Sequence, residues 1–256
     1  FINKYYYMMK FLNKYPWIEY FVKIYLYLLA IFTLFRVILL ATNFHEIKNI
    51  TNPASVLAEV FLMGLRFDIS IVGYFVIIPF ILLFIVKLLR INNAKIHLIN
   101  SIIIFIFTTV SFFISLADIP YYNQFGSRIT NAALKWMDTP DFVVKMIIEE
   151  PRYIAFIIPF ILLAILNFYF LNRITKKIIT NHTHQKFVFK AYISEIGLMI
   201  FVFLLILLGI RGRIEEKSPI RISTAYITPY PFFNQLGLNA NFTFFQSIIN
   251  SSKKEA

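Results

Sequence analysis

Five apolar runs constrain this chain more than anything else in it. Residues 20–41, 69–86, 98–117, 153–171 and 191–210 each come close to the roughly 20 residues that a helix needs to cross a hydrocarbon core of about 30 Å. In lipid every backbone polar group must be satisfied within the segment, so runs of this kind fold as helices. The fold expected is an all-α, polytopic membrane protein with five transmembrane helices and short amphipathic helices at the interface. The first run is too long for a cleaved signal peptide, and no small-residue cleavage site follows it. Residues 1–210 are read as a five-span transmembrane domain. Residues 211–256 are read as an extracytoplasmic linker, and the opening on Phe1 and the polar end lead to the expectation of a longer protein.

Composition excludes the other classes. Hydrophobic residues make up 59% of the chain, charged residues 15%, and the mean hydropathy is +0.71, which no ordinary soluble globule matches. Thirty Phe and fifteen Tyr are incompatible with a disordered, solvated chain. With no Cys, there is no disulfide framework, thiolate metal site or Cys nucleophile.

The net charge of +12 is a topology signal. Residues 1–19, 87–97 and 172–190 carry eleven Lys and Arg against the single acid Glu19. Residues 42–68, 118–152 and 211–256 carry twelve bases and eleven acids in about twice the length. An excess of Lys and Arg marks cytoplasmic segments, so the N-terminus is expected inside and the C-terminus outside. No basic patch remains that would call for a nucleic-acid partner.

Two outer segments carry helix-start signals. Asn52-Pro53 reads as an N-cap with Pro at the first helical position, opening a helix through Leu65 along the interface. Thr139-Pro140-Asp141 repeats the device, with Phe142, Val143, Met146 and Ile147 on one face as far as Pro151. The run Ile77–Leu83 recurs identically at Ile157–Leu163. Its flanks do not match, so it reads as coincidence in a Phe/Ile/Leu alphabet, with Pro79 and Pro159 as local kinks.

Charges inside spans are costly and stand out for that reason. There are three: Lys23, Arg36 and Glu195. Lys23 and Glu195 share the inner level, where they either pair or snorkel separately. Arg36 lies a turn from the outer end of the first span, level with Asp68 at the start of the second, and pairing of these two is expected. No chain of acids crosses the midplane, which disfavours a pump. His182-Thr183-His184 has metal-like spacing without a third ligand nearby. Four Asn-x-Ser/Thr matches, at Asn49, Asn181, Asn241 and Asn250, fall on both sides of the membrane and read as chance. No phosphate-cradling Gly-rich loop, nucleophile elbow or HExxH sequence is present.

The informative polar residues cluster where spans meet the outer face. They are Arg66-Phe67-Asp68, Ala117-Asp118, Tyr121-Tyr122, Arg128 and Arg211-Gly212, then the run from Tyr226 to Asn234, and Leu236-Gly237-Leu238-Asn239. Five spans with an inside N-terminus followed by this run resemble the membrane part of the lipoteichoic-acid-synthase-like sulfatases, phosphoglycerol transferases of the alkaline phosphatase superfamily. The resemblance implies the bacterial cytoplasmic membrane, which the Asn, Lys and Ile content of an AT-rich genome also suits. It implies an extracytoplasmic catalytic domain after Ala256 that uses a Thr nucleophile and a divalent, manganese-like metal on lipid-linked headgroups. No catalytic or metal-binding residue carries over to this chain, Thr228 and Thr243 included. Arg66, Asp68, Asp118, Tyr122, Arg128, Arg211, Asn234 and Asn239 are the candidates for a lipid-headgroup site or a domain junction. Arginine forks suit the phosphate of an anionic phospholipid; equally, these arginines pair with Asp68, Asp118 and Glu215 to fix helix ends. Two other classes stay open. One is a small multi-span transporter subunit, which would put polar residues along a stripe of several spans. The other is a glycosyltransferase using a polyprenyl-phosphate sugar, for whose first outer loop only Glu46 and Glu59 are available.

Overall fold

The computed structural model describes residues 14–50, 52–91, 95–138, 151–180, 189–213 and 218–255. These residues form helices joined by short turns. The five long ones are α1 (Pro16–Thr42), α2 (Pro53–Leu88), α3 (Lys95–Phe125), α4 (Pro151–Thr180) and α5 (Phe189–Arg211). Each is long and apolar enough to cross a membrane, and the protein is an all-α polytopic membrane protein. The helices run alternately up and down. α2 packs against α1, α3 and α5, while α4 lies on α3 and α1. Two short helices follow, α6 (Pro231–Leu236) and α7 (Ala240–Glu255). They fold back onto the end of the bundle where α1 finishes and α2 begins, α6 on α2 and α7 on α3.

Lipid tails are as apolar as Leu, so tight fit rather than hydrophobic exclusion holds spans together. Aromatic rings supply much of that fit: the Trp17 ring stands edge-on to Phe80 at 6.0 Å, and Phe67 to Phe242 at 4.9 Å. Small residues supply the rest. A Cβ on Gly73 would come within 2.7 Å of the Ile210 side chain, so only Gly lets α2 and α5 meet here. Beside it the Ser70 hydroxyl donates to the Ile210 carbonyl at 2.8 Å.

Two expectations are corrected and one open alternative is decided. Asn52 makes no side-chain capping bond and sits in the left-handed region at φ 69°, which Asn tolerates better than most residues; Pro53 alone marks the start. The helix expected to stop at Leu65 continues to Leu88 as one element of 36 residues, about 54 Å long at 1.5 Å per residue. No breaker separates Leu65 from Ile69, and Asp68 is neutralised from outside the helix, as described below. Lys23 and Glu195 do not pair with each other. Lys23 takes Glu19 one turn away, Glu19 also takes Lys177, and Glu195 takes Lys87 of the adjacent α2 at 3.0 Å. These ions share one level, about 28 Å below Asp68 when the 19 residues from Asp68 to Lys87 are counted along α2. The helix expected after Thr139, His182, His184 and Glu215 all lie outside the described residues.

Candidate functional site

The end of the bundle opposite these ions is built around two buried arginine–aspartate pairs. Asp68 is fully buried in α2. Arg36 of α1 meets it with both terminal nitrogens, each at 2.9 Å. This fork-to-fork geometry is the strongest an ion pair adopts. A carboxylate buried unpaired costs several kcal/mol, and pairing with full hydrogen bonding is what makes the position tolerable. The Arg36 Nε donates to the Leu236 carbonyl at 3.1 Å, and the Asn239 side-chain amide donates to Asp68 at 2.8 Å. Arg36 therefore binds three elements at once: its own α1, α2 and the turn between α6 and α7. Gly64 makes the approach possible, since a Cβ there would lie 2.3 Å from the guanidinium carbon.

The second pair repeats the arrangement on α3. Asp118 is buried and accepts from Arg128 at 3.1 Å and from the Ile129 backbone N–H at 2.8 Å. Arg128 in turn donates to the Leu238 carbonyl at 3.0 Å. Burial pulls the Arg128 pKa below the ordinary arginine value, and the Asp118 charge opposes that shift. The two arginines thus hold carbonyls two residues apart, Leu236 and Leu238, on one turn. Asn241 adds a bond to the Ser115 hydroxyl at 2.9 Å, and the Thr243 hydroxyl donates to the Ile129 carbonyl at 3.1 Å. Between Arg36, Arg128, Ser115, Asp118 and Asn239 the space left is about 10 Å³, roughly one water.

Asn234 organises the approach to this turn. Its carbonyl oxygen accepts from the backbone N–H groups of Ile227 and Thr228 and from the Thr228 hydroxyl, while its amide donates to the Thr228 carbonyl at 2.8 Å. That clip sets Pro231 at the first turn of α6. Phe232 then stands edge-on to Tyr122 at 5.7 Å. With Leu39, Val60, Phe233 and Leu236 they form a second apolar core above the first.

Six of the eight outer candidates, Asp68, Asp118, Tyr122, Arg128, Asn234 and Asn239, are thereby assembled in one buried, interlocked end of the bundle, with Arg36 added. Arg66 and Arg211 are placed elsewhere. Both are exposed, at the α2–α5 side, where Arg66 donates to the Gly212 carbonyl at 3.1 Å. Thr228 and Thr243 are spent on structural bonds. Sequence reasoning missed Ser115 and Asn241, which carry no charge and whose partnership spans 126 residues.

The sequence also carried a signal that a search for charges passes over. His97, Ser101, Ile104, Thr108, Ser111, Ser115 and Asp118 are spaced 4-3-4-3-4-3 along α3, and all seven are buried. Six of the seven are polar. No family model matches the chain, and neither a curated protein nor a solved structure does. Fold and site define a membrane protein with five membrane-length helices among the described residues, whose segment after α5 is locked onto one end of the bundle by two buried ion pairs.

Proposed function

We propose that this chain is the membrane-anchoring, lipid-presenting domain of an extracytoplasmic phosphoglycerol transferase or sulfatase-like enzyme acting on lipid-linked headgroups in the bacterial cytoplasmic membrane. The observation that carries the reading is the double clamp: Arg36 and Arg128 hold Leu236 and Leu238, so the chain leaves the bundle in a fixed direction at one membrane surface. The distribution of basic residues supports placing that surface outside and the N-terminus inside. A catalytic domain tethered there meets lipid headgroups at high effective concentration. Arg36 and Arg128 are engaged in the clamps. Arg66 and Arg211, exposed at this end, are the residues this reading assigns to anionic phospholipid headgroups, by charge-assisted bonds to phosphate. Among the described residues no group of three His, Asp or Glu side chains is brought together. In this reading the manganese-like metal and the Thr nucleophile belong to the chain's own C-terminal catalytic domain.

A transporter subunit is the second reading, and the buried polar stripe of α3 favours it. One experiment separates the two. The gene is expressed through its natural stop codon, and the purified product is given manganese and phosphatidylglycerol vesicles. The proposal expects several hundred residues after Ala256 and metal-dependent release of diacylglycerol, with none from residues 1–256 alone. A reading frame that ends at Ala256 and a product without headgroup turnover would overturn it.

A further inference from the structure

The seven-residue stripe of α3 runs 21 residue steps from His97 to Asp118, about 31 Å along the axis, which is the thickness of the hydrocarbon core. Its neighbours are α1 and α4, and the three helices meet in layers. In the lowest layer the Tyr20 hydroxyl faces Ser101 and Thr175. One turn higher come Ile24, Ile104 and Leu171, all with exposures of 2% or less. One turn above that, the Asn167 amide donates to the Thr108 hydroxyl at 2.7 Å. Ser111, then Ser115 with Asn241, and finally Asp118 with Arg128 continue upwards to the clamps. The order is polar, apolar, polar, and Ile104 is the single apolar member of the α3 stripe.

Buried polar atoms without a protein partner concentrate along the same seam. Among the described residues they include Tyr20 Oη and Thr175 Oγ1 below the apolar layer, which face each other and Ser101 without a full hydrogen bond. Above it they include Asn167 Oδ1, Tyr27 Oη, Ser111 Oγ, Asn241 Oδ1 and Arg128 Nε. Such groups at membrane depth are satisfied by protein or by ordered water, and here they fall on either side of one apolar layer.

We propose that the α1–α3–α4 seam binds internal water in two separate pockets, one at Tyr20, Ser101 and Thr175 and one from Asn167 up to Arg128, kept apart by the single dry layer Ile24–Ile104–Leu171. A constriction lined by apolar side chains blocks water and protons by staying dry. This inference rests on the packing of α1, α3 and α4 and is independent of the enzymatic reading.

The test is proton permeability. The chain is reconstituted in phosphatidylcholine–phosphatidylglycerol vesicles loaded with a pH-sensitive dye and given an acid pulse. Native protein and Ile104→Leu should leave the vesicles as tight as protein-free ones. Ile104→Ser should join the pockets and raise the leak several-fold. A folded Ile104→Ser as tight as the native protein, or a native protein that itself leaks, would overturn the proposal. Hydroxyl-radical labelling of the native chain gives an independent reading should Ile104→Ser fail to fold. Phe112, which packs with Tyr27 at the upper pocket, should be oxidised by hydroxyl radicals generated by X-ray radiolysis of bound water, while the equally buried Phe67, packed against Phe242, stays silent. Equal silence at both rings would overturn the upper pocket.

Discussion

Replacing Gly64 with Ala adds one methyl group to a helix, a change that ordinarily stabilises by up to about 1 kcal/mol. Here the new Cβ would fall 2.3 to 2.5 Å from three atoms of the Arg36 guanidinium. That group cannot simply swing away, because Asp68 holds two of its nitrogens and the Leu236 carbonyl the third. Admitting the methyl means breaking at least part of a buried pair, and breaking such a pair costs about 3–5 kcal/mol. Subtracting the propensity gain leaves a net loss of roughly 2–4 kcal/mol. Gly197→Ala is the matched control. It adds the same methyl in α5, where nothing lies within 4 Å, and the expected change runs from neutral to a gain of about 1 kcal/mol. Denaturant titration of both variants in the same detergent, followed by tryptophan fluorescence, gives the comparison directly. Equal stability of the two would refute the claim that Arg36 is pinned against Gly64.

Two further outcomes are expected. Lys95→Cys and Asn123→Cys, at opposite ends of α3, should react with an impermeant maleimide from opposite sides of the membrane; labelling of both from outside intact cells would overturn the five-span arrangement. Asn234→Ala should cost about 1–3 kcal/mol, because it leaves the Ile227 and Thr228 groups of a half-buried turn unsatisfied, and proteolysis should then cut between Ala225 and Pro231 faster than in the native chain; an unchanged cleavage rate would count against the clip.

What the sequence made legible follows from physical range. The spans are visible because membrane thickness sets a length that any 20-residue window reports. The Arg36–Asp68 pair is visible because the two residues are isolated charges at one depth on adjacent spans. The continuity of α2 is not, since whether a helix passes through an aspartate depends on what neutralises it. Here Arg36 lies 32 residues away and Asn239 lies 171. The docking of α6 and α7 is illegible for the same reason: both arginines reach it through backbone carbonyls, which no residue type announces. The polar stripe of α3 was written in the sequence with regular spacing. Ser and Thr among Ile and Phe leave hydropathy almost unchanged, and the stripe's one acid, Asp118, lies just past the end of the span at residue 117, so a search for intramembrane charge passes over it.

The claim that buried ion pairs lock the end of this bundle is tested most directly by a double-mutant cycle on Arg36 and Asp68. Asp68→Asn should cost about 3–5 kcal/mol, because it strands a buried guanidinium. Arg36→Gln added to it should cost little more, giving a coupling energy approaching about 3 kcal/mol. Losses that add strictly, each substitution costing as much in the presence of the other as alone, would contradict the account and leave the two residues as independent features of their own helices.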